Sequence, residues 1–322
     1  MGHAPGVQRP SSRPRRQRLL LLAALVLPLV AVATLLLRPS ADVLSTVDVA
    51  DVGAAHAVAA LVRPTAEPDG QVVRLVSGGR ARAVLVQDPA PGQAVRGLVL
   101  VLGPHSLSAA RTAQDLRFED LRARGYAVAY PSTLDGDWNA GRCCGTPMAE
   151  GVDDVAFLQQ VRRQLLDRYG LDDGPVGLVG YSTGGQMVYR TVCADPSFAR
   201  AAVVVSGSFE TECAPSAPLP PTLVVHGIDD TTIPWQTSTG PTRMLDHTPV
   251  PGLASVTAYA SAGGCGRHVV DTSDGRTLLQ WRGCTRLAAL TAVGMPATGH
   301  GWTPLGGSVY AARFLPPHLE DP

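Results

Sequence analysis

The segment Gly180-Tyr181-Ser182-Thr183-Gly184-Gly185 decides the fold of this 322-residue chain. An apolar run from Val176 to Val179 precedes it and predicts a β-strand, and the stretch after it predicts a helix. A serine on a tight turn between a strand and a helix is typical of a nucleophile elbow. The glycines two residues before and two after this serine let the backbones approach closely, so the hydroxyl can be exposed. Because a chain with 34 glycines can produce G-x-S-x-G by chance, the remaining sequence must supply a base, an acid and an oxyanion site.

The rest of the chain alternates apolar runs with helical patterns. This alternation favours a mostly parallel central sheet with helices on both faces, so the predicted fold class is α/β. Between Ser206 and Thr222, which mark the end of one strand and the start of the next, too few residues remain for a helical cap, so we expect an open site. The predicted strands are 72–76, 81–86, 98–102, 126–130, 176–179, 201–205, 222–225 and 287–293, and the predicted helices are 109–124 and 152–169, with Asp153 and Asp154 complementing the dipole of the second helix.

Composition excludes several classes of function. The formal net charge is zero, which removes any electrostatic argument for nucleic acid as the main partner. All 27 cationic side chains are arginine. Without lysine the chain has no Schiff-base lysine, no Walker-A lysine and no Ser-Lys dyad, so the general base is a histidine or a carboxylate. No cofactor is predicted.

The N-terminal region predicts export. Five arginines between residues 9 and 18 precede an uncharged apolar run at 19–37, and we interpret residues 1–38 as an export signal or a signal anchor. A cleaved signal and a retained membrane anchor are both open at this point. Residues 39–69 are interpreted as a linker, and residues 70–322 as one catalytic domain. The positive-inside rule places that domain outside the membrane, either secreted or anchored to the outer face of the cytoplasmic membrane.

Cysteine usage agrees with export. Six cysteines in a chain with an export signal predict three disulfides, whereas no C-x-x-C pair occurs and no metal site is predicted. Cys265 and Cys284 flank two β-prone runs joined by the turn signal Ser273-Asp274-Gly275. A hairpin would bring these two cysteines together, so we predict a disulfide between them. The pairing of the other four is open at this stage: Cys143, Cys144, Cys193 and Cys213.

The candidate acid and base follow later strands. Asp230, with Asp229 as the alternative, comes just after the strand at 222–225, where α/β sheets collect functional side chains. A turn or helix cap is the structural alternative for an aspartate there. His300 lies between two glycines after the last predicted strand, which suits a loop that carries a base. His226 precedes the acid, and we expect it to pack or to hydrogen-bond behind the acid.

The oxyanion site and the surroundings of the serine have further candidates. We expect one donor to be the backbone N–H of Thr183, directly after the serine. The loop after the strand at 98–102 should supply the other donor, and His105 is chosen because Pro104 has no N–H. Three tryptophans in loops near the site could stack on a substrate ring, although each is as well suited to packing: Trp138, Trp235 and Trp302.

At this point the chain resembles the secreted polyhydroxybutyrate depolymerase and feruloyl esterase family of α/β-hydrolases, which includes the LpqC-like proteins. The resemblance runs from about residue 96 to residue 315. Where the family has His-Gly in the oxyanion loop, this chain has Gly103-Pro104, and no lipobox cysteine lies near the signal. The motifs that carry the resemblance are Trp138-Asn139-Ala140-Gly141 before Cys143-Cys144, Val152-Asp153-Asp154-Val155, the elbow, His226-Gly227 with Asp230 and Ile233-Pro234-Trp235, and Gly299-His300-Gly301-Trp302.

The resemblance implies an α/β-hydrolase fold and a serine carboxylic-ester hydrolase with Ser182, Asp230 and His300 as its triad. Hydroxybutyrate oligomers, feruloyl or acetyl groups on polysaccharide, and small esters are all open as substrates, so the expected partner is an ester, polymeric or small. Two alternatives stay open. One is a peptidase or acyltransferase with the same triad, and the other is a catalytically weak binding module of the cell envelope.

Overall fold

A ten-stranded sheet organises the described part of the chain. The computed structural model describes residues 1–2, 69–242, 245, 247–273 and 275–320. The chain divides into two units, Met1–Thr46 and Val47–Pro322, and all elements below belong to the second. The predicted export segment and nearly all of the predicted linker lie outside the described residues. Within the described ranges, no helix is long and apolar enough to cross a membrane.

The sheet is mostly parallel, as the sequence predicts. Its strand order is β1-β2-β4-β3-β5-β6-β7-β10-β9-β8. The six strands from β4 to β10 in this order pair in parallel, and antiparallel pairs extend the sheet at both edges. The strands are β1 (Gln71–Ser77), β2 (Arg80–Gln87), β3 (Gly97–Leu102), β4 (Tyr126–Pro131), β5 (Val176–Tyr181), β6 (Ala201–Val205), β7 (Thr222–Gly227), β8 (His268–Ser273), β9 (Arg276–Trp281) and β10 (Leu290–Met295).

Burial of the central strands shows that both faces of the sheet are covered. Every residue of β3, β4, β6, β7 and β10 is buried. Continuous apolar runs of this kind are typical of parallel strands packed between layers. Residues 206–221, which join β6 to β7, contain no helix, so this connection carries no helical cap. The α/β fold and the absence of a large cap at this position are therefore confirmed.

Nine helices are described, and one predicted helix is broken. Instead of one helix over 109–124, the chain forms two, because Arg117 takes a positive φ of 48° and buried Phe118 begins a new turn. The helices are α1 (Ala109–Leu116), α2 (Glu119–Ala123), α3 (Gly145–Ala149), α4 (Asp154–Tyr169), α5 (Thr183–Ala194), α6 (Gly252–Ala262), α7 (Trp302–Leu305), α8 (Gly307–Phe314) and α9 (Pro316–Leu319).

Two aspartates lie at the start of α4, as the sequence predicts. Asp153 is the N-cap, and its side chain accepts a hydrogen bond from the Ala156 N–H. Asp154 is the acidic residue of the first turn, and it also makes a contact that the sequence did not indicate. Its carboxylate is fully buried and lies 2.8 Å from the guanidinium of Arg82 on β2. The Arg82 guanidinium in turn lies 3.7 Å from the centre of the Phe157 ring, so β2 and α4 are joined by a buried ion pair packed on an aromatic face.

Candidate active site

Ser182 stands on a strained turn between β5 and α5. Its φ of 56° and ψ of −122° lie in a region that non-glycine residues avoid. A Cβ on Gly180 would collide with the carbonyl oxygen of Gly184, and a Cβ on Gly184 would collide with the carbonyl oxygen of Leu102. Both glycines are therefore required by close backbone contact. The turn is fixed on its other side by the Ser182 N–H, which donates to the Val205 carbonyl at the end of β6.

The loops after β7 and β10 meet beside this turn. The N–H of Ile228 donates to Met295 O, and the N–H of Asp229 donates to Thr298 O. Gly227 lies so close to the second loop that a Cβ there would collide with backbone oxygens of that loop. These contacts hold Asp230 and His300 next to each other, although 70 residues separate them.

The three candidate residues form one chain of hydrogen bonds. His300 Nδ1 lies 2.7 Å from Asp230 Oδ2, and His300 Nε2 lies 2.9 Å from Ser182 Oγ. An ionised carboxylate only accepts hydrogen bonds, so Nδ1 carries the proton and Nε2 accepts from the serine hydroxyl. The His300 side chain is 10% exposed and the Asp230 side chain is fully buried. The arrangement has the geometry of a general base that is oriented by a buried acid.

The Asp230 carboxylate is held in its ionised form. Oδ1 accepts from the N–H groups of Thr232 and Ile233, each at 2.8 Å. Burial acts to raise the pKa of Asp230, but the hydrogen bond and charge of His300, with smaller contributions from His226 and the Ile233 N–H, outweigh burial and lower the pKa. The acid therefore stays negative where the imidazole needs an acceptor.

A second histidine lies behind the acid. His226 is fully buried, and its Nε2 lies 2.8 Å from Ile233 O and 3.4 Å from Asp230 Oδ2. Burial lowers the pKa of His226, against the opposing effect of the Asp230 charge, so this imidazole is neutral. Its Nε2–H donates to the Ile233 carbonyl. The expected position of His226 behind the acid is thus what the structure shows.

The predicted oxyanion residues lie on two segments that contact each other. Thr183 is the first residue of α5, where helix N–H groups have no intrahelical partner. The loop that carries His105 is held by a neighbouring loop, because Trp138 Nε1 donates to Gly103 O at 3.0 Å and the Ser106 N–H donates to Gly136 O at 2.8 Å. The imidazole of His105 also lies 2.8 Å from Asp137 Oδ2, a pair that the sequence did not indicate.

The three tryptophans pack in the interior and do not face solvent. Trp138, Trp235 and Trp302 are 0%, 4% and 6% exposed. Trp235 packs on the ring of His226, and Trp302 donates from Nε1 to Leu116 O. The suggestion that these rings stack on a substrate is therefore corrected in favour of packing, which buries a large apolar surface and satisfies the indole N–H internally.

Sequence reasoning missed Tyr181, the residue before the serine. Its hydroxyl donates to the His300 carbonyl at 3.1 Å, and its ring centre lies 5.4 Å from that of the His300 imidazole. Burial, reinforced by the Asp230 charge, raises the pKa of Tyr181 to about 12. The position inside the elbow motif was the only available signal.

Three disulfides occur among the described residues, including the Cys265–Cys284 bond at the base of the β8–β9 hairpin. The other four cysteines, whose pairing the sequence left open, form the bonds Cys143–Cys144 and Cys193–Cys213. Both sulfur atoms of the vicinal pair lie 3.1 Å from Gln186 Oε1 on α5. The vicinal bond therefore packs against the helix that follows the elbow. In the described part of the chain, no group of three or more His, Cys, Asp or Glu residues could hold a metal ion.

A Ser-His-Asp hydrogen-bonded chain at the carboxyl edge of a mostly parallel sheet, with the serine on a strand-turn-helix elbow, is the arrangement of the α/β-hydrolase fold. Solved structures show the same fold. Acetyl xylan esterase from Aspergillus awamori matches with a TM-score of 0.56 and 16% identity, over 76% of this chain and 99% of that one. The LpqC poly(3-hydroxybutyrate) depolymerase from Bordetella parapertussis matches with a TM-score of 0.52 and 16% identity, over 79% and 92%.

The chain also resembles proteins that are feruloyl esterases by name. The chain is 26% identical over 192 residues to feruloyl esterase C of Emericella nidulans. It is 28% identical over 191 residues to a probable feruloyl esterase C of Aspergillus flavus. Each alignment covers 58% of this chain and 62% of the relative, so the chain spans about three fifths of the length of these curated relatives. No protein-family model matches the chain. The expected resemblance to α/β-hydrolase esterases is confirmed.

Proposed function

We propose that the protein is an exported serine carboxylic-ester hydrolase. The observation that supports this function best is the continuous chain of hydrogen bonds from Ser182 Oγ through His300 to Asp230, with distances of 2.9 and 2.7 Å. The serine is on a strained elbow. The acid is ionised, so it can orient the histidine that activates the serine. The sequence relatives, which are feruloyl esterases by name, support an ester as the substrate.

In the proposed mechanism, neutral His300 accepts the Ser182 proton at Nε2 while Oγ attacks the ester carbonyl carbon. The carbonyl oxygen becomes an oxyanion, for which the N–H groups of Thr183 and His105 are the proposed donors. The imidazolium then protonates the alcohol as it leaves, and the acyl group remains on Ser182. Water attacks this acyl-enzyme with the same histidine as base, which releases the acid. Asp230 accepts a hydrogen bond from Nδ1–H throughout and stabilises the imidazolium when it forms.

For the substrate we propose an ester on a polymer, such as a hydroxyalkanoate chain or an acylated polysaccharide. The absence of a helical cap in the β6–β7 connection supports an open site that the side or end of a polymer could reach. Both kinds of activity occur by name among the structural neighbours. A peptidase or acyltransferase with the same triad is the second candidate, because the hydrogen-bonded chain alone does not choose the acyl acceptor.

Export is part of the proposal. Three disulfides among the described residues support an oxidising compartment. The arginine-rich start and the apolar run at 19–37 support passage through the membrane. That segment lies outside the described residues, so whether it is cleaved or kept as an anchor stays a prediction.

The function is tested by labelling with a fluorophosphonate probe and by hydrolysis of p-nitrophenyl butyrate, feruloyl, acetyl and amide substrates. We expect the wild-type chain to be labelled and to hydrolyse esters far faster than amides. Ser182→Ala should lose labelling, with kcat reduced by about 10⁴-fold or more and the melting temperature retained. Ser206→Ala is the matched control, because Ser206 is fully buried at the neighbouring strand end. Labelling that persists in Ser182→Ala would disprove the assignment.

A further inference from the structure

Four aromatic rings form a continuous column that ends on the candidate base. Phe118 at the start of α2 contacts Trp302, with 5.8 Å between ring centres. Trp302 contacts Tyr181, again at 5.8 Å, and Tyr181 contacts His300 at 5.4 Å with an interplanar angle of 30°. Contacts of this length and tilt are favourable for aromatic pairs. The imidazole therefore packs on a column of rings whose far members, Trp302 and Phe118, are buried.

The hydroxyl of Tyr181 adds a directional contact to this column. It donates to the His300 carbonyl at 3.1 Å, and the backbone N–H of Trp302 interacts with the same phenol oxygen. The two contacts bracket the segment 300–302. Because burial and the Asp230 charge raise the pKa of Tyr181 to about 12, the phenol keeps its proton and stays a donor over the range in which esterases work.

The backbone of His300 needs such a restraint. Gly299 and Gly301 flank it, and glycine restricts the backbone least of all residues. The Asp230 carboxylate fixes the imidazole at one atom, Nδ1, which is next to the ring's attachment to Cβ. Without a contact to the His300 carbonyl, the backbone could rotate and carry Nε2 away from Ser182 while the bond to Asp230 persists.

We propose that Tyr181 is a positioning residue for the base. Its hydroxyl fixes the His300 backbone and its ring fixes the imidazole plane, so that Nε2 stays within hydrogen-bond distance of Ser182. The inference rests on the proposed function, since a position for the base matters only where Ser182 is the nucleophile.

The test compares Tyr181→Phe and Tyr181→Leu in the full chain, with kcat, KM, fluorophosphonate labelling rate and melting temperature measured on each. Tyr181→Phe removes one hydrogen bond, so we expect kcat to fall about 3- to 10-fold with KM within about twofold and the melting temperature unchanged. Tyr181→Leu also removes the ring, and we expect kcat to fall by up to about 100-fold. The labelling rate should fall in parallel with kcat, and the partial activity of the phenylalanine variant shows what the ring alone supplies.

Tyr189→Phe is the matched control. Tyr189 is fully buried on α5 and its hydroxyl has no hydrogen-bond partner among the described residues, so this variant should keep kcat within about twofold. If Tyr181→Phe keeps the wild-type kcat, or loses no more than Tyr189→Phe, the positioning role is overturned while the esterase assignment stands. If KM rises and kcat does not change, the residue contacts substrate and the proposal is also wrong. A wild-type chain that neither reacts with the probe nor cleaves esters would overturn both proposals.

Discussion

Replacing Asp230 by asparagine tests the orientation of the base most directly, because the structure fixes how the new amide must lie. Oδ1 of Asp230 accepts two backbone N–H groups, from Thr232 and Ile233. An amide NH₂ at that position would face two donors, so the amide oxygen must take the Oδ1 position. The NH₂ group then takes the Oδ2 position, which faces His300 Nδ1 at 2.7 Å.

An NH₂ group at that position reverses the histidine tautomer. Nδ1 becomes the acceptor, the single imidazole proton moves to Nε2, and the nitrogen that faces Ser182 can no longer take a proton. The same change in a protease triad lowers kcat by about 10⁴-fold. That factor corresponds to about 5.5 kcal/mol of transition-state stabilisation, because each tenfold change in rate is about 1.36 kcal/mol. We expect a loss of this size in kcat, with KM nearly unchanged.

Asp229→Asn is the matched control. Asp229 contacts the His300 loop through its backbone N–H, which the substitution keeps. The Asp229→Asn variant should hydrolyse p-nitrophenyl butyrate within about threefold of the wild-type rate, because a surface substitution that removes no contact has small effects. Far-UV circular dichroism and the melting temperature would show that both variants fold. If Asp230→Asn keeps more than a tenth of the wild-type kcat, or if Asp229→Asn is the more damaged, the assignment of the acid is wrong.

Two further predictions concern stability. Replacing Cys265 and Cys284 together by serine removes a disulfide with a sequence separation of 19. This variant should lower the free energy of unfolding by about 3 kcal/mol and the melting temperature by roughly 6–12 °C. Removing Cys193–Cys213 in the same way should cost similar stability but less activity on mild heating, and a wild-type melting temperature in the Cys265/Cys284 variant would contradict the prediction. Because burial lowers the pKa of His226, the unfolded chain takes up a proton below pH ~6.5 that the folded chain refuses, so stability falls as pH falls. This dependence of stability on pH between 7.5 and 5.5 should be missing in His226→Gln. Chemical unfolding at both pH values measures it, and equal slopes for the two proteins would show that this contribution is absent.

The site could be predicted from the sequence wherever the signal is local. A serine between two glycines after an apolar run specifies the elbow, and the segments after later strands select Asp230 and His300, which the structure brings into one hydrogen-bonded chain. Contacts between distant segments could not be predicted. Nothing near Asp154 at the start of α4 marks its ion pair with Arg82, which lies 72 positions earlier on strand β2. The burial of Trp302 likewise depends on helix α1, whose Leu116 carbonyl accepts from the indole.

The oxyanion loop shows how the structure supports a departure from the family pattern. Pro104 replaces a residue with a backbone N–H, and a proline there restricts φ and supplies no donor. The neighbouring loop at 134–138 holds this segment through contacts on both sides of the proline, from Trp138 to Gly103 O and from the Ser106 N–H to Gly136 O. The His105–Asp137 pair adds a third contact at the residue that we propose as the donor. A donor held from three sides needs no reorganisation when negative charge develops on the substrate oxygen, which is the condition for effective electrostatic stabilisation. The proline is therefore compatible with the proposed mechanism, because neighbouring residues set the position of the loop and the N–H that we propose as the donor belongs to the next residue.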